Sequence, residues 1–337
     1  MSKSYDIAVV GGHGLVSKAI IKDLFNSGIP IKSLVVFGSK ENVDIDLIVD
    51  GHTLKVEVID EKNIKHFDIV FFSTGDDLSY KYAQLFIDKG ARVIDNSSYF
   101  RMNKDVPLVI PEINEEDLLN NTMIYANPNC TTILILLALL PVHRAFGLEK
   151  IIVSSYQSIS GAGTLAVQEF INQNINHELS PKILPSSNVI KKTIYNNILP
   201  IVDDVLPNGW TKEETKVENE SKKILHLPEL EINPTCVRVP TIVGHGVSVA
   251  AICKKKIDLL YLINEYYKYD FLRLKLNENY PDLREVKDTS FVDVGRLRID
   301  KYCEYTVDLF ATSDNLIRGA SYNAIQIAKS LIKLGVI

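Results

Sequence analysis

The apolar run Tyr5 to Val10 ends in Gly11-Gly12-His13-Gly14 and passes directly into Leu15, Ala19, Ile20 and Leu24 at helical spacing. A buried strand that turns through glycines into a helix is the most restrictive feature of this chain. The apolar period changes from 2 to 3.6 within a few residues, and glycine permits so abrupt a turn while leaving backbone N–H groups exposed. The alternation continues. Strands are expected at Ser33 to Phe37, at Asp68 to Phe72 (leading into Ser73-Thr74-Gly75-Asp76-Asp77) and at Arg92 to Ile94. A helix from about Ser79 to Lys89, stopped by Gly90, lies between the last two. This order predicts an α/β fold with a doubly wound parallel sheet, whose ligands bind beyond the carboxyl ends of the strands.

The 337 residues are more than one such sheet needs; at roughly 150 residues per domain, about two domains are expected. Beyond about residue 150 the pattern changes. Ile151 to Tyr156, Val247 to Ile252 and Tyr305 to Ala311 read as strands, separated by helical stretches and a polar segment from Gln173 to Lys192. They predict a second, α+β domain with antiparallel pairing. Arg318 to Leu334 reads as an amphipathic helix with Ala320, Ala324, Ile327 and Leu331 on one face. There is no internal repeat, low-complexity tract or obvious linker.

Charge and apolar runs exclude several function classes. Lys plus Arg is 37 and Asp plus Glu 42, a net charge of −5, which argues against a general nucleic-acid binder. The longest apolar run, Ile133 to Val142, is too short to span a bilayer, and the start MSKSYDIAVV lacks the features of a secretory signal. The cysteines at 130, 236, 253 and 303 show no CxxC spacing, so neither a metal site nor a redox pair is expected. These features describe a soluble protein of a reducing compartment.

Four segments could carry chemistry. Gly12-x-Gly14-x-x-Ser17 offers backbone N–H groups and a helix N-terminus to a pyrophosphate, with Ser17 where a third glycine is usual. After the second strand, Lys40 could meet a ribose 2′-phosphate, whereas Glu41 could accept from a 2′-hydroxyl; both readings stay open. In Asn127-Pro128-Asn129-Cys130-Thr131-Thr132, Cys130 falls at the start of a helix, where negative charge is stabilised and a thiol becomes a nucleophile. The alternative is a buried structural cysteine. In Val237 to Gly246, His245 stands between two glycines as an accessible acid/base, and Arg238 offers a planar fork to a carboxylate. Arg101, in the loop Asp95 to Arg101, could clamp a phosphate or simply be solvated. Glu213 and Lys216 share a helix face, by default a surface ion pair of small value.

The order of these segments is more telling than any one of them. The nucleotide turn at 11–17 is followed by DNSSYFR (95–101), NPNCTT (127–132), YQSISGAG (156–163), WTKEETK (210–216), CVRVPTIVGH (236–245) and DNLIRGASYNAIQIA (314–328). Through essentially its whole length the chain resembles the aspartate-semialdehyde dehydrogenase family, and within it the shorter bacterial-type enzymes.

The resemblance implies a Rossmann-like cofactor domain, residues 1–128 with about 314–337, and an α+β catalytic and dimerisation domain, residues 129–313. It implies Cys130 as nucleophile, His245 as acid/base and Gln157 as the group positioning the acyl intermediate. Arg238 then binds the substrate α-carboxylate and Glu213 its amino group, while Arg101, Asn129 and Lys216 surround the phosphate. Gly11, His13, Gly14, Leu15 and Val16 match the dinucleotide loop, Ser160 and Gly161 line the nicotinamide side, and Asn323 contacts its carboxamide. The implied reaction is reversible, NADP-dependent reductive dephosphorylation of L-aspartyl-4-phosphate to L-aspartate 4-semialdehyde through a cysteine thioester, with inorganic phosphate released and His245 protonating the thiohemiacetal oxyanion. It belongs to the aspartate pathway to lysine and diaminopimelate, threonine and methionine. A cytoplasmic homodimer or tetramer is implied, without nucleic-acid or membrane partners.

The family's adenosine segment Arg-Ser-Ala-Gly is Lys40-Glu41-Asn42-Val43 here, its Ser-Glu after the histidine is Gly246-Val247, and a glycine after SGAG is Ala166. NAD therefore remains possible beside NADP. The alternatives are an N-acetyl-gamma-glutamyl-phosphate reductase, whose cysteine segment typically reads Gly-Cys-Tyr-Pro-Thr, and a non-catalytic homologue acting as a dimeric scaffold.

Overall fold

The computed structural model describes residues 3–40, 43, 45–175, 190 and 192–337. Glu41, and most of the polar segment between Gln173 and Lys192, lie outside the described residues. The chain divides into two compact units, one of residues 1–129 with 320–337 and one of residues 130–319.

In the first unit, strands β1 (Tyr5–Val10), β2 (Ile31–Gly38), β5 (Val56–Val58), β6 (Ile69–Phe72), β7 (Arg92–Asp95) and β8 (Ile124–Ala126) form one sheet; β3 (Leu47–Val49) and β4 (His52–Leu54) form a separate hairpin. The sheet order is β5-β2-β1-β6-β7-β8 and every pairing is parallel. Strands buried on both faces read as continuous apolar runs, which is how β1 and β6 are written. Their alternation divides the core. Ile7, Val9, Ile69 and Phe71 pack on one face with α1 (Leu15–Asn26) and α9 (Tyr322–Lys333), whereas Ala8, Val10, Val70 and Phe72 pack on the other with α2 (Asp76–Ile87). Chain order runs outward from β1 through β2 to β5, then returns through β6 to β8, so the topological switch lies between β1 and β6. A crevice outside their carboxyl ends follows from that reversal. A short helix, α3 (Pro111–Asn114), precedes β8.

Two helix boundaries differ from expectation. Helix α2 begins at Asp76, earlier than Ser79, because Asp76 and Asp77 complement the positive helix end. The C-terminal helix is interrupted: Ile317–Ser321 form a π turn and α9 starts only at Tyr322.

The second unit opens with α4 (Cys130–Phe146), in which every side chain from Thr131 to Val142 is buried. A helix apolar on all sides belongs inside a core, and each fully buried Leu or Ile contributes about 1.5–3 kcal/mol. Helix α4 packs across β9 (Leu148–Gln157), β11 (His245–Cys253), β13 (Val292–Ile299) and β14 (Thr306–Ser313). With β10 (Glu231–Arg238) and β12 (Leu272–Lys275) these form a sheet of order β10-β9-β11-β14-β13-β12. Pairing is mixed rather than antiparallel throughout. β9–β11, β11–β14 and β14–β13 are antiparallel, but the outer pairs β10–β9 and β12–β13 are parallel. Helices α5 (Thr164–Ile175) and α6 (Lys212–Ile224) between β9 and β10, and α8 (Leu283–Val286) between β12 and β13, lie in those crossovers, whereas α7 (Leu259–Tyr266) links β11 to β12. Along β9, Ile151, Val153, Ser155 and Gln157 point inward; Ile152 and Tyr156 fall on the opposite, more open face. Among the described residues no helix is long and apolar enough to cross a membrane.

Candidate active site

Four strand or helix ends of the second unit converge. Cys130 is the first residue of α4, Gln157 and Arg238 are the last residues of the adjacent parallel strands β9 and β10, and His245 is the first of β11. The Sγ of Cys130 lies 3.3 Å from Nε2 of His245. Cys130 is half-buried at the positive end of a long helix, which favours a sulfur anion. The other thiols differ in kind. Burial pushes the Cys236 thiol far up and that of Cys253 up to about 12.

His245 is completely buried, and its pKa falls to about 3, first because burial penalises a charged ring and second because Arg238 is nearby. Its Nδ1 accepts from the backbone N–H of Ser158 at 3.1 Å, with the Ser158 hydroxyl 3.2 Å away. Arg238 donates from Nη1 to the Ser158 carbonyl at 2.6 Å. Burial also draws its pKa downward, opposed by the negative charges of Glu213 and of Cys130 as thiolate. Gln157 donates through Nε2 to Ser155 Oγ and to Glu213 Oε1, each at 3.2 Å.

Glu213 and Lys216 project from the first turn of α6. Thr211 accepts from Glu214 N and Glu214 accepts from Thr211 N, a closed capping box. Glu214 also accepts from Cys236 N, which fixes the start of the helix against β10. The Glu213–Lys216 pair is therefore no surface ion pair: Glu213 is buried and lies 3.7 Å from Lys216, which itself donates to Asp203 at 2.7 Å.

The 3-10 turn Ile159–Ala162 brings Ser160 and Gly161 alongside. Gly161 is pressed against the site, because a Cβ there would come within 3.3 Å of the His245 ring and 3.2 Å of the Arg238 guanidinium. Two departures from the family pattern have local reasons. Ala166 is fully buried in an apolar cluster with Ile159 and Phe170, and Gly246 leaves room for the Phe310 ring, which a Cβ would meet at 3.0 Å.

The first unit holds the other candidates. Gly12 takes φ +51° and Gly11 φ +143°, and a Cβ on Gly12 would meet Gly38 Cα at 3.2 Å. Glycine is required by both conformation and space there. Ser17 replaces the third glycine because its Oγ bonds Ser73 Oγ at 2.5 Å, tying the turn after β1 to the loop after β6. His13 has both ring nitrogens shielded from solvent without a hydrogen-bond partner, beside Gly14, Leu15 and Val16 at the start of α1. Uncompensated polar atoms at a helix N-terminus fit a dinucleotide, whose phosphates supply acceptors. Lys40 is exposed just beyond β2. Asn323 is buried and donates to Val109 O and Asn127 Oδ1, while its own Oδ1 has no partner. Arg101 donates to the Asn127 and Asn96 carbonyls, holding together the loops after β7 and β8; Asn129, next to Cys130 in the chain, is buried.

Two residues with no role in the sequence reading enter this site, Ser158 and Asn315. Asn315 Oδ1 accepts from Gly244 N at 2.8 Å and from Ser158 Oγ at 3.0 Å, and its Nδ2 donates to Ser160 Oγ at 2.9 Å. The available signal was the ring of His245 itself, since a buried imidazole needs a partner for its second nitrogen.

Comparison with known proteins identifies the family. Residues 6–121 match the family model described as "Semialdehyde dehydrogenase, NAD binding domain", and residues 139–318 match "Semialdehyde dehydrogenase, dimerisation domain". The chain is 37% identical to the aspartate-semialdehyde dehydrogenase of Bacillus subtilis, with all of both chains covered, and 34% identical to aspartate-semialdehyde dehydrogenase 2 of Vibrio cholerae, with 99% of each covered. It is also similar to the crystal structure of aspartate semialdehyde dehydrogenase II from Vibrio cholerae (TM-score 0.92, 34% identity, covering 98% of this chain and 99% of that one). The form of that enzyme complexed with ASA gives a TM-score of 0.93 at 33% identity, with the same coverage. On full-length similarity and a match to both family models, the chain belongs to the aspartate-semialdehyde dehydrogenase family.

Proposed function

We propose that this protein catalyses the reversible, nicotinamide-dependent reductive dephosphorylation of L-aspartyl-4-phosphate to L-aspartate 4-semialdehyde. The observation that carries the reading is the 3.3 Å approach of Cys130 Sγ to His245 Nε2 at the start of α4, with Arg238 and Glu213 buried in the same unit. A thiolate there attacks the acyl carbon, the bond to the phosphate oxygen breaks, and a thioester remains on Cys130. When bound, the cofactor supplies hydride to that thioester. His245 is the acid/base group for the oxyanion that follows. Gln157, anchored to Ser155 and Glu213, positions the acyl group. Arg238 offers its fork to the α-carboxylate, Glu213 takes the amino group, and Lys216 with Arg101 and Asn129 receives the phosphate.

His13, Gly11, Gly14, Leu15 and Val16 would hold the dinucleotide, with Ser160 and Gly161 on the nicotinamide side and the unpartnered Oδ1 of Asn323 accepting from its carboxamide. NADP is the expected form, with Lys40 as its 2′-phosphate partner, and the product feeds the pathway to lysine and diaminopimelate, threonine and methionine. The assembly is a homodimer through the second unit, residues 129–313 taking the catalytic and dimerisation role. The test is a steady-state assay with aspartate semialdehyde and phosphate, run with NADP and with NAD. Turnover abolished by Cys130→Ala is the expected result. Oxidation of only the N-acetylated glutamate semialdehyde would overturn the reading in favour of the related reductase, and turnover retained by Cys130→Ala would overturn the nucleophile.

A further inference from the structure

Two carboxylates flank Lys216, and only one of them has a part in the proposed reaction. Glu213 Oε2 stands 3.7 Å from Lys216, and its other oxygen is held by Gln157. The shorter contact is to Asp203, whose Oδ2 accepts from Lys216 Nζ at 2.7 Å.

The chain places Asp203 there by folding back on itself just before α6. Val205 pairs with Thr211, Leu206 N donates to Trp210 O at 2.6 Å, and Lys212 N donates to Asp204 O at 2.9 Å. Lys212 Nζ adds an ion pair to Asp204 Oδ2 at 2.9 Å. At the other end of the segment, Leu199 and Arg238 exchange both backbone hydrogen bonds. Residues 199–211 are thereby tied to the strand end that carries Arg238 and to the first turn of α6. Asp203 takes φ +68°, a left-handed conformation that aspartate and asparagine adopt more readily than other non-glycine residues. Its Oδ1 accepts from Asp204 N at 2.9 Å, which leaves Oδ2 for Lys216.

We infer that Asp203 is the resting counter-ion of Lys216, that inorganic phosphate must displace it to reach the ammonium, and that this competition keeps phosphate binding weak. The inference rests on the proposed function for the part Lys216 plays. Asp203 acts through Lys216 and is a positioning residue rather than a catalytic one. Burial alone would raise its pKa, but the hydrogen bond and charge of Lys216 outweigh that and hold the carboxyl below its usual value, so it is an anion at neutral pH. Burial draws the Arg238 pKa down, and Asp203 is among the negative charges that oppose it. Arg238 and Lys216 are thus matched, charge for charge, by Glu213 and Asp203. These four side chains offer a phosphate no net positive charge until Asp203 gives way.

The contact is built to be broken. The side chains of Lys216 and Asp203 are 27% and 31% exposed, so the pair is open to solvent and to an incoming anion. An ion pair this open is weak, and a phosphate dianion can take the ammonium that a single carboxylate holds. Two anions sharing one ammonium repel each other. In the direction of semialdehyde formation phosphate is the leaving group, and the carboxylate returning to Lys216 favours its departure.

The test compares the full chain with Asp203→Asn and Asp203→Glu. Asparagine suits the left-handed backbone, keeps an oxygen for Asp204 N and removes only the charge. In the steady-state assay with aspartate semialdehyde, Asp203→Asn should lower KM for phosphate about 3- to 10-fold, the scale of losing one partly exposed ion pair. KM for aspartate semialdehyde should change far less. Asp203→Glu keeps the charge and should hold KM for phosphate near the parent value. An unchanged or raised KM for phosphate in Asp203→Asn would overturn the inference, because a carboxylate that merely orients Lys216 weakens phosphate binding when it is lost. An equal fall in Asp203→Glu would also overturn it, since charge would not be the cause. Calorimetric titration of inorganic phosphate into the same three chains, without semialdehyde or nucleotide, should rank their affinities in the same way. That ranking in a chain that does not turn over aspartate semialdehyde would sink the proposed reaction and keep Asp203 as the counter-ion; turnover without the ranking would do the reverse.

Discussion

The backbone of Gly319 lies so close to Cys130 that a β-carbon added there would stand 2.7 Å from Cβ of the cysteine and 3.2 Å from its Cα. Both neighbours are short and rigid, so neither can move aside without shifting the first turn of α4. Gly319→Ala should therefore displace the thiol from His245 and lower kcat by at least tenfold. Overpacking of this kind costs about 1–3 kcal/mol of stability, so the chain should still fold. Steady-state kinetics beside a urea unfolding curve check this; wild-type kcat in a folded Gly319→Ala chain would refute it.

Arg238 already uses one edge of its guanidinium on the Ser158 carbonyl. A lysine has no second, planar edge to present to a carboxylate. Arg238→Lys should raise KM for aspartate semialdehyde about 10- to 100-fold, the equivalent of a charged hydrogen bond of about 1.5–3 kcal/mol, with a smaller effect on kcat. An unchanged KM would contradict a substrate-carboxylate role.

The capping box at Thr211 and Glu214 orients the turn of α6 that carries Glu213 and Lys216. Thr211→Ala should cost about 1 kcal/mol. Glu214→Ala should cost more, because Thr211 N and Cys236 N both lose their acceptor. Urea midpoints give the first comparison. A rise in KM that tracks them would place the cap upstream of substrate binding, and a destabilised variant with unaltered KM would separate the two.

His245 has its pKa depressed to about 3 by burial and by Arg238, whereas an unfolded histidine titrates near about 6.5. Between those values the unfolded chain binds the extra proton, so the stability this residue contributes is present above about pH 6.5 and is lost as pH falls toward about 3, at up to about 1.4 kcal/mol per pH unit. His143, depressed by burial, then by Lys254 and Arg144, acts in the same direction. Urea unfolding between about pH 7 and about pH 5 should show a shallower pH dependence for His245→Gln than for the parent chain; parallel curves would contradict the assignment.

Much of the first unit was legible because its signals are local. The runs Tyr5–Val10 and Ile69–Phe72 carry their own period, and Gly12 declares a turn that only glycine can make. The face of α9 marked by Ala324, Ile327 and Leu331 was readable in the same way, and those residues are buried. The second unit was less legible. Nothing in Glu231–Arg238 states that it pairs parallel to β9, because the direction is imposed by a crossover through α6. Nor does Arg318 to Leu334 reveal its π turn, since the amphipathic period carries on through it.

The residue types of the candidate site stood in the sequence: a cysteine at a helix start, a histidine between glycines, an arginine at the end of a strand. Their chemistry depends on their partners, and here the division is clear. The sequence by itself determined strand, turn and helix where contiguous residues decide them, because backbone period and turn geometry act over a few residues. Only the tertiary structure decided that His245 meets Cys130 across 115 positions and that Ser158 meets Asn315 across 157. A hydrogen bond depends on distance and direction in space, and contiguous residues carry neither over such separations.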